Sequence, residues 1–157
     1  MADMLVKLYD LPSVPTPASP DICVRRALGP EKQQVVAWVA RFFSQGWADE
    51  GDLAFTRQPV ACFIAHTERS IVGFCAYDAT ARGLLGPIGV IENMRGRGIG
   101  RCLLLTALKD MAAQGYAYAV VGWAGPEAFF ARTARAVPIA GSDPGIYRNL
   151  LSSEGPS

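Results

Sequence analysis

Residues 93–109 hold the most chemically pointed pattern in the chain. Arg95-Gly96-Arg97-Gly98-Ile99-Gly100-Arg101 alternates cations with glycines, and Arg95, Arg97, Arg101 and Lys109 stand there without an acidic neighbour. Glycines let a turn bring its main chain close to a ligand, and successive N–H groups can converge on an anion. A helix starting at such a turn adds unsatisfied amides and partial positive charge. The whole chain carries a formal net charge of +1, so a segment at +4 leaves −3 for the remainder. That distribution suits one compact phosphate or pyrophosphate and argues against an extended nucleic-acid groove.

Two familiar phosphate turns do not fit. A P-loop needs a lysine followed by serine or threonine after its last glycine, and none follows here. A dinucleotide fingerprint needs a glycine three residues beyond Gly98, where Arg101 stands. The next apolar run, 117–123, also contains no acid to take a ribose hydroxyl.

The elements around the turn follow from periodicity. Residues 4–9 alternate as a strand, and 11–20 hold Pro12, Pro15, Pro17 and Pro20 and read as an extended connector. Strand character resumes at 22–26. Pro30 opens an amphipathic helix carrying Val35, Trp38, Val39, Phe42 and Phe43, which gives way to an acidic loop with Asp49, Glu50 and Asp52. Residues 60–65 and 70–77 form a hairpin, and 84–91 a third strand of that group. A helix over 98–114 is capped by Gly115. A buried strand at 118–123, a short helix from Pro126, and strands at 137–140 and 146–151 complete the order. The expected fold is α/β, a mixed and largely antiparallel central sheet with helices on both faces.

With 157 residues and half of them hydrophobic, the chain reads as one domain over 1–157. Its core spans about 22–151, with an N-terminal strand and proline-rich arm at 1–21 and a frayed tail at 152–157. No run approaches a membrane span, and the N-terminus lacks a basic flank followed by an apolar stretch. Cys23, Cys62, Cys75 and Cys102 show no CxxC spacing and sit in apolar runs as core residues would, which suggests a reduced, cytoplasmic setting. With a single histidine, His66, neither a metal site nor a histidine triad is expected.

Arg95, Gly98 and Gly100 match the R/Q-x-x-G-x-G/A turn, and the segment resembles that of the GCN5-related N-acetyltransferases (GNAT), an acyl-CoA-dependent family. The likeness extends to the preceding strand with Ile88-Gly89-Val90, the leucine-rich helix after the turn, and the downstream elements, about 22–151 in all. It implies an acyl-CoA N-acyltransferase fold with acetyl-CoA as acyl donor, no metal, and a small-molecule primary amine as acceptor. Peptide or protein amines, or acyl-CoA binding without turnover, are the alternatives. A homodimer is common among relatives of this kind; nucleic acid and membrane are not expected partners.

By the same resemblance, residues Arg95, Gly96, Arg97, Gly98, Ile99, Gly100 and Arg101 would take the phosphates. Ile88, Gly89 and Val90 would face the pantetheine arm, and Phe129 and Phe130 would pack on it or serve the helix core. Many members carry a tyrosine general acid where this chain has Phe130. Tyr147, expected in the last strand, is a replacement, with plain packing as the other account. For the base, Glu92 follows the strand of Ile88 and Asp78 ends another; the plainer account comes first for both, a helix-entry acid for Glu92 and a strand-end turn residue for Asp78. Glu50 and Asp78 are the carboxylates expected to meet a cationic acceptor.

Overall fold

The computed structural model describes residues 1–17 and 19–151. Its strands are β1 (Met4–Lys7), β2 (Cys23–Arg26), β3 (Cys62–His66), β4 (Ile71–Tyr77), β5 (Leu84–Val90), β6 (Tyr118–Val121) and β7 (Val137–Pro138). The helices are α1 (Lys32–Phe42), α2 (Gln45–Ala54), α3 (Ile99–Ala113) and α4 (Glu127–Ala134). All seven strands join one sheet in the order β2-β3-β4-β5-β6-β1-β7. Every neighbouring pair is antiparallel except β5 with β6.

Alternation along β4 divides the molecule into layers. Phe74 turns to one face, where Trp38, Phe43 and Trp47 of the α1–α2 layer pack around it with ring centroids 5.7–6.1 Å away. Gly73 and Tyr77 turn to the other, toward α3: a Cβ on Gly73 would stand 2.9 Å from Leu103, and the Tyr77 hydroxyl donates to Asp110. Arg26 of β2 reaches the same carboxylate at 2.6 Å, so α3 is tied to two strands by polar contacts as well as by packing. Leu103, Leu104, Leu105 and Leu108 are fully buried, each contributing about 1.5–3 kcal/mol. This anchoring fixes where α3 begins, and hence where the glycine turn lies.

Three expectations are corrected. The acidic loop is the helix α2. Ser44 caps it by accepting from the Trp47 amide at 3.1 Å, and Ala48, Gly51 and Ala54 form its buried face. That stripe consists of residues too small to stand out among Asp49, Glu50 and Asp52. The strand at 146–151 is absent; Gly145–Tyr147 form a 3-10 turn instead, with Gly145 at φ +64°, and Leu150 and Leu151 are exposed. The strand at 137–140 shrinks to two residues: Ile139 still donates to the Asp3 carbonyl at 2.8 Å, but the Asp3 amide donates to Ser142 Oγ and does not close the ladder. The tail at 152–157 lies outside the described residues.

Cysteine placement also differs at one position: Cys62, Cys75 and Cys102 are buried, whereas Cys23 on the edge strand β2 is exposed. Burial pushes the Cys62 thiol up to about 12, the behaviour of an inert core residue. Among the described residues no helix is long and apolar enough to cross a membrane.

Candidate active site

The turn between β5 and α3 owes its shape to two glycines. Gly96 and Gly98 have φ of +78° and +76°, a conformation costing other L-residues about 1–2 kcal/mol. Gly98 is the N-cap of α3 and its carbonyl accepts from Cys102. Among the described residues, nothing accepts from the amides of Gly96, Arg97, Gly98, Ile99 or Gly100. The Ile99 side chain is 1% exposed and anchors the turn in the core. Arg95, Arg97 and Arg101 are exposed around it. Gly100 lies under Phe129, whose ring would stand 3.5 Å from an added Cβ. A row of free amides, a helix N-terminus and three guanidinium groups can together hold a pyrophosphate.

Beside the turn, the sheet opens. β5 and β6 pair only at Leu84 with Val120 and Leu85 with Val121. The β4–β5 register then slips between Cys75 and Tyr77, so that β5 carries one extra residue near Gly86 and Pro87. A bulge of this kind bends the strand and reverses which residues aim main-chain groups to either side. After it, Ile91, just past β5, donates to the Val72 carbonyl of β4 at 2.9 Å. Alternation then turns the main-chain groups of Val90 and Ile88 toward the opening, and the Arg95 Nε–H donates to the Val90 carbonyl at 3.1 Å. Gly89 differs from the expectation that grouped it with them. It pairs with Phe74, and its bare Cα admits Phe43, whose ring would lie 2.5 Å from a Cβ.

The opening widens into a cavity of about 530 Å³. Gly86, Pro87 and Ile88 line one wall, Val121, Gly122 and Trp123 another, and Phe130 of α4 lies in the lining between them. At one end Glu50 of α2 accepts from the Tyr147 hydroxyl at 2.6 Å and from the Thr80 hydroxyl, both on Oε1. Its Oε2 has no partner among the described residues. Burial and the hydrogen bond to Glu50 push the Tyr147 hydroxyl up to about 12, so it holds its proton at neutral pH. Trp123 packs against Tyr147 with centroids 4.7 Å apart.

The structure thus brings together Glu50 and Tyr147, which stand 97 positions apart in the chain. It does not bring Asp78 to them. Asp78 sits at φ +52°, accepting from the Gly83 amide at 2.7 Å and the Tyr116 hydroxyl at 2.8 Å. It lines a second cavity with Arg57 and Arg82. Glu92 occupies the 3-10 turn after β5 and is exposed, outside the lining of the first cavity. His66 lies at the end of β3, accepting from Arg25 at Nε2 and facing the Thr67 carbonyl with Nδ1.

Sequence reasoning missed Thr80, Trp47 and Trp123 as parts of this cavity. For Trp47 a signal existed: read as a helix, 45–54 places Gly46, Trp47 and Glu50 on one face.

The model of the acetyltransferase (GNAT) family matches residues 32–131. No curated protein matches the chain in sequence. Among solved structures, one similar fold is the GCN5-related glucosamine N-acetyltransferase region of a fungal multi-domain GH3 β-N-acetylglucosaminidase. It has a TM-score of 0.68 and 16% identity, over 88% of this chain and 19% of that one. A GCN5-related N-acetyltransferase from Sphaerobacter thermophilus gives 0.65 and 22%, over 88% and 48%. One from Kribbella flavida gives 0.58 and 18%, over 87% and 53%. The chain spans about half the length of the last two, and less of the first.

Proposed function

Since the chain belongs to the acetyltransferase (GNAT) family, we propose that it moves an acetyl group from acetyl-CoA to a primary amine of a small molecule, by direct attack of the amine on the thioester. One observation carries this reading. The Glu50 carboxylate lines a cavity that reaches Gly86, Pro87 and Ile88 of β5, and β5 leads on from there through Val90 toward the free amides of the glycine turn. Gly86 to Val90 span about 13 Å of extended chain, so the ligand of this opening is long, thin and polar along its length. A pantetheine arm with a pyrophosphate at one end has that form.

In this reading the amides from Gly96 to Gly100 bind the pyrophosphate, with Arg97 and Arg101 adding charge. Arg95, partly committed to the Val90 carbonyl, closes the turn onto the strand. Main-chain groups of Ile88 and Val90 hydrogen-bond the arm, and an amide on this edge faces the oxygen on which charge develops. Phe129 covers the first turn of α3, and Phe130 closes the cavity where relatives place a tyrosine.

The proton on the amine sets the main demand. An alkylammonium at about 10.4 requires about 4.6 kcal/mol to expose its lone pair at pH 7. Glu50 is the base: Tyr147 and Thr80 hold its Oε1, leaving Oε2 to receive the ammonium proton. Tyr147 is a positioning residue and not the acid for the sulfur. Burial and the bond to Glu50 push its hydroxyl up to about 12, and its proton is engaged on Glu50 Oε1 instead of being turned to a leaving thiolate of about 8.5. That thiolate is stable enough to depart without it.

The test is to mix the protein with acetyl-CoA and a panel of primary amines while following free thiol and acetylated product. We expect amine-dependent thiol release matched by acetylated amine. Tight acetyl-CoA binding with no release across the panel would overturn the reading.

A further inference from the structure

Resting on the acetyl-transfer reading above, we infer that the acceptor is a monocationic amine on an apolar, ring-bearing body, an arylalkylamine. The charges of the cavity set the first limit. Among the described residues its lining holds two carboxylates, Asp49 and Glu50, and no lysine, arginine or histidine. One ammonium group is matched there, with Glu50 Oε2 free among the described residues and Asp49 engaged by Gln45 at 2.9 Å; a carboxylate on the acceptor meets like charge, since the Met1 α-ammonium in the lining is already paired with Asp143.

The walls set the second limit. Trp47, and Trp123 packed against Tyr147, present aromatic surface next to the Glu50 carboxylate. Ile146, 57% exposed, adds apolar surface at the rim. An aromatic ring covers that surface, and its ammonium gains from the rings as well as from the carboxylates. A polyhydroxylated amine such as an amino sugar would instead set most of its hydroxyls against the apolar surface of Pro87, Ile88, Val121, Phe130 and Ile146. A polyamine would place its further cations on the same apolar walls.

The decisive experiment compares kcat/KM for 2-phenylethylamine, phenylalanine, glucosamine and spermidine on the full chain with saturating acetyl-CoA. We expect 2-phenylethylamine to exceed phenylalanine by about a hundredfold, and glucosamine and spermidine by about tenfold or more. An equal or higher value for any of the three overturns the inference. Ile146→Lys, at an exposed position that leaves the fold intact, should raise KM for 2-phenylethylamine several-fold and improve phenylalanine; no change in either opposes the inference. Calorimetric titration of 2-phenylethylamine in the presence of CoA separates the two readings. Binding without turnover supports the acceptor preference and removes only the transfer reaction, and absence of binding removes the preference.

Discussion

The glycine turn and the Glu50 cluster are built on opposite plans. The turn is contiguous: seven successive residues supply its amides and charges, and its shape comes from backbone conformations open to glycine. The cluster is dispersed: Glu50 comes from α2, Thr80 from the loop after β4, and Tyr147 from the 3-10 turn near the end of the described chain. One region presents main-chain groups and is positive; the other presents side chains and is negative. A device made of backbone tolerates side-chain change but not a change of φ. A device made of side chains depends on the packing of three separate segments.

This contrast yields graded expectations. The largest effect belongs to the cluster: Glu50→Gln should lower kcat by about 10²–10⁴ while acetyl-CoA affinity stays the same. Glu92→Gln and Asp78→Asn should leave kcat nearly unchanged; a collapse of kcat in Glu92→Gln with Glu50→Gln active would transfer the role. Next comes the turn. Gly98→Asp adds a like charge and a left-handed strain, and should weaken acetyl-CoA binding about a hundredfold by calorimetry. Unchanged affinity there would remove the phosphate assignment.

Between the two regions stands Gly89, where a Cβ would meet Phe43 at 2.5 Å and Trp47 at 3.1 Å. Gly89→Ala should cost about 1–3 kcal/mol in denaturant unfolding and raise KM for the amine without altering acetyl-CoA affinity. A variant as stable as the parent would show that the aromatic layer yields freely.

The smallest effect lies outside both regions and calibrates them. Glu31 accepts from both Arg25 Nη atoms, at 2.7 and 2.8 Å. That pairing, helped by the Leu28 amide, holds its carboxyl at about 2 against an ordinary 4.5. A lowered folded value favours the fold above pH 4.5, and that stability is lost as pH falls through about 2. Solvent screens a pair whose arginine is 36% exposed, so the expected loss is about 1 kcal/mol. Glu31→Gln should flatten the acid limb of the melting curve; an unaltered limb would assign acid sensitivity elsewhere.

The same contrast explains what the sequence discloses. The turn and its flanking strand and helix were legible because their spacing is local and glycine at fixed offsets is rarely incidental. Most of the element order, the mixed sheet and the α3 core followed from hydrophobic periodicity; the order of strands within the sheet did not. The cluster was only half legible. Glu50 and Tyr147 stood out as chemical types, but α2 was hidden because Ala48, Gly51 and Ala54 make a weak apolar stripe. Tyr147 was misplaced on a strand because Ile146, Leu150 and Leu151 look buried until the turn at Pro144 and Gly145 exposes them. Asp78 was grouped with Glu50 because strand ends converge in a linear reading. Its hydrogen bonds to Gly83 and Tyr116 turn it to another cavity. Nothing near Thr80 in the chain distinguishes it.

The brevity of the β5–β6 pairing has a mechanical consequence. Two residue pairs join β2-β3-β4-β5 to β6-β1-β7 across the sheet, and beyond them the edge of β5 lacks a neighbouring strand. An extended donor lying along Ile88 and Val90 would serve as the missing rung, fastening the two parts of the sheet to each other. Occupancy and cohesion then become a single quantity. The melting temperature of this protein should rise with donor concentration as the logarithm that mass action requires, making heat resistance a direct meter of a filled site.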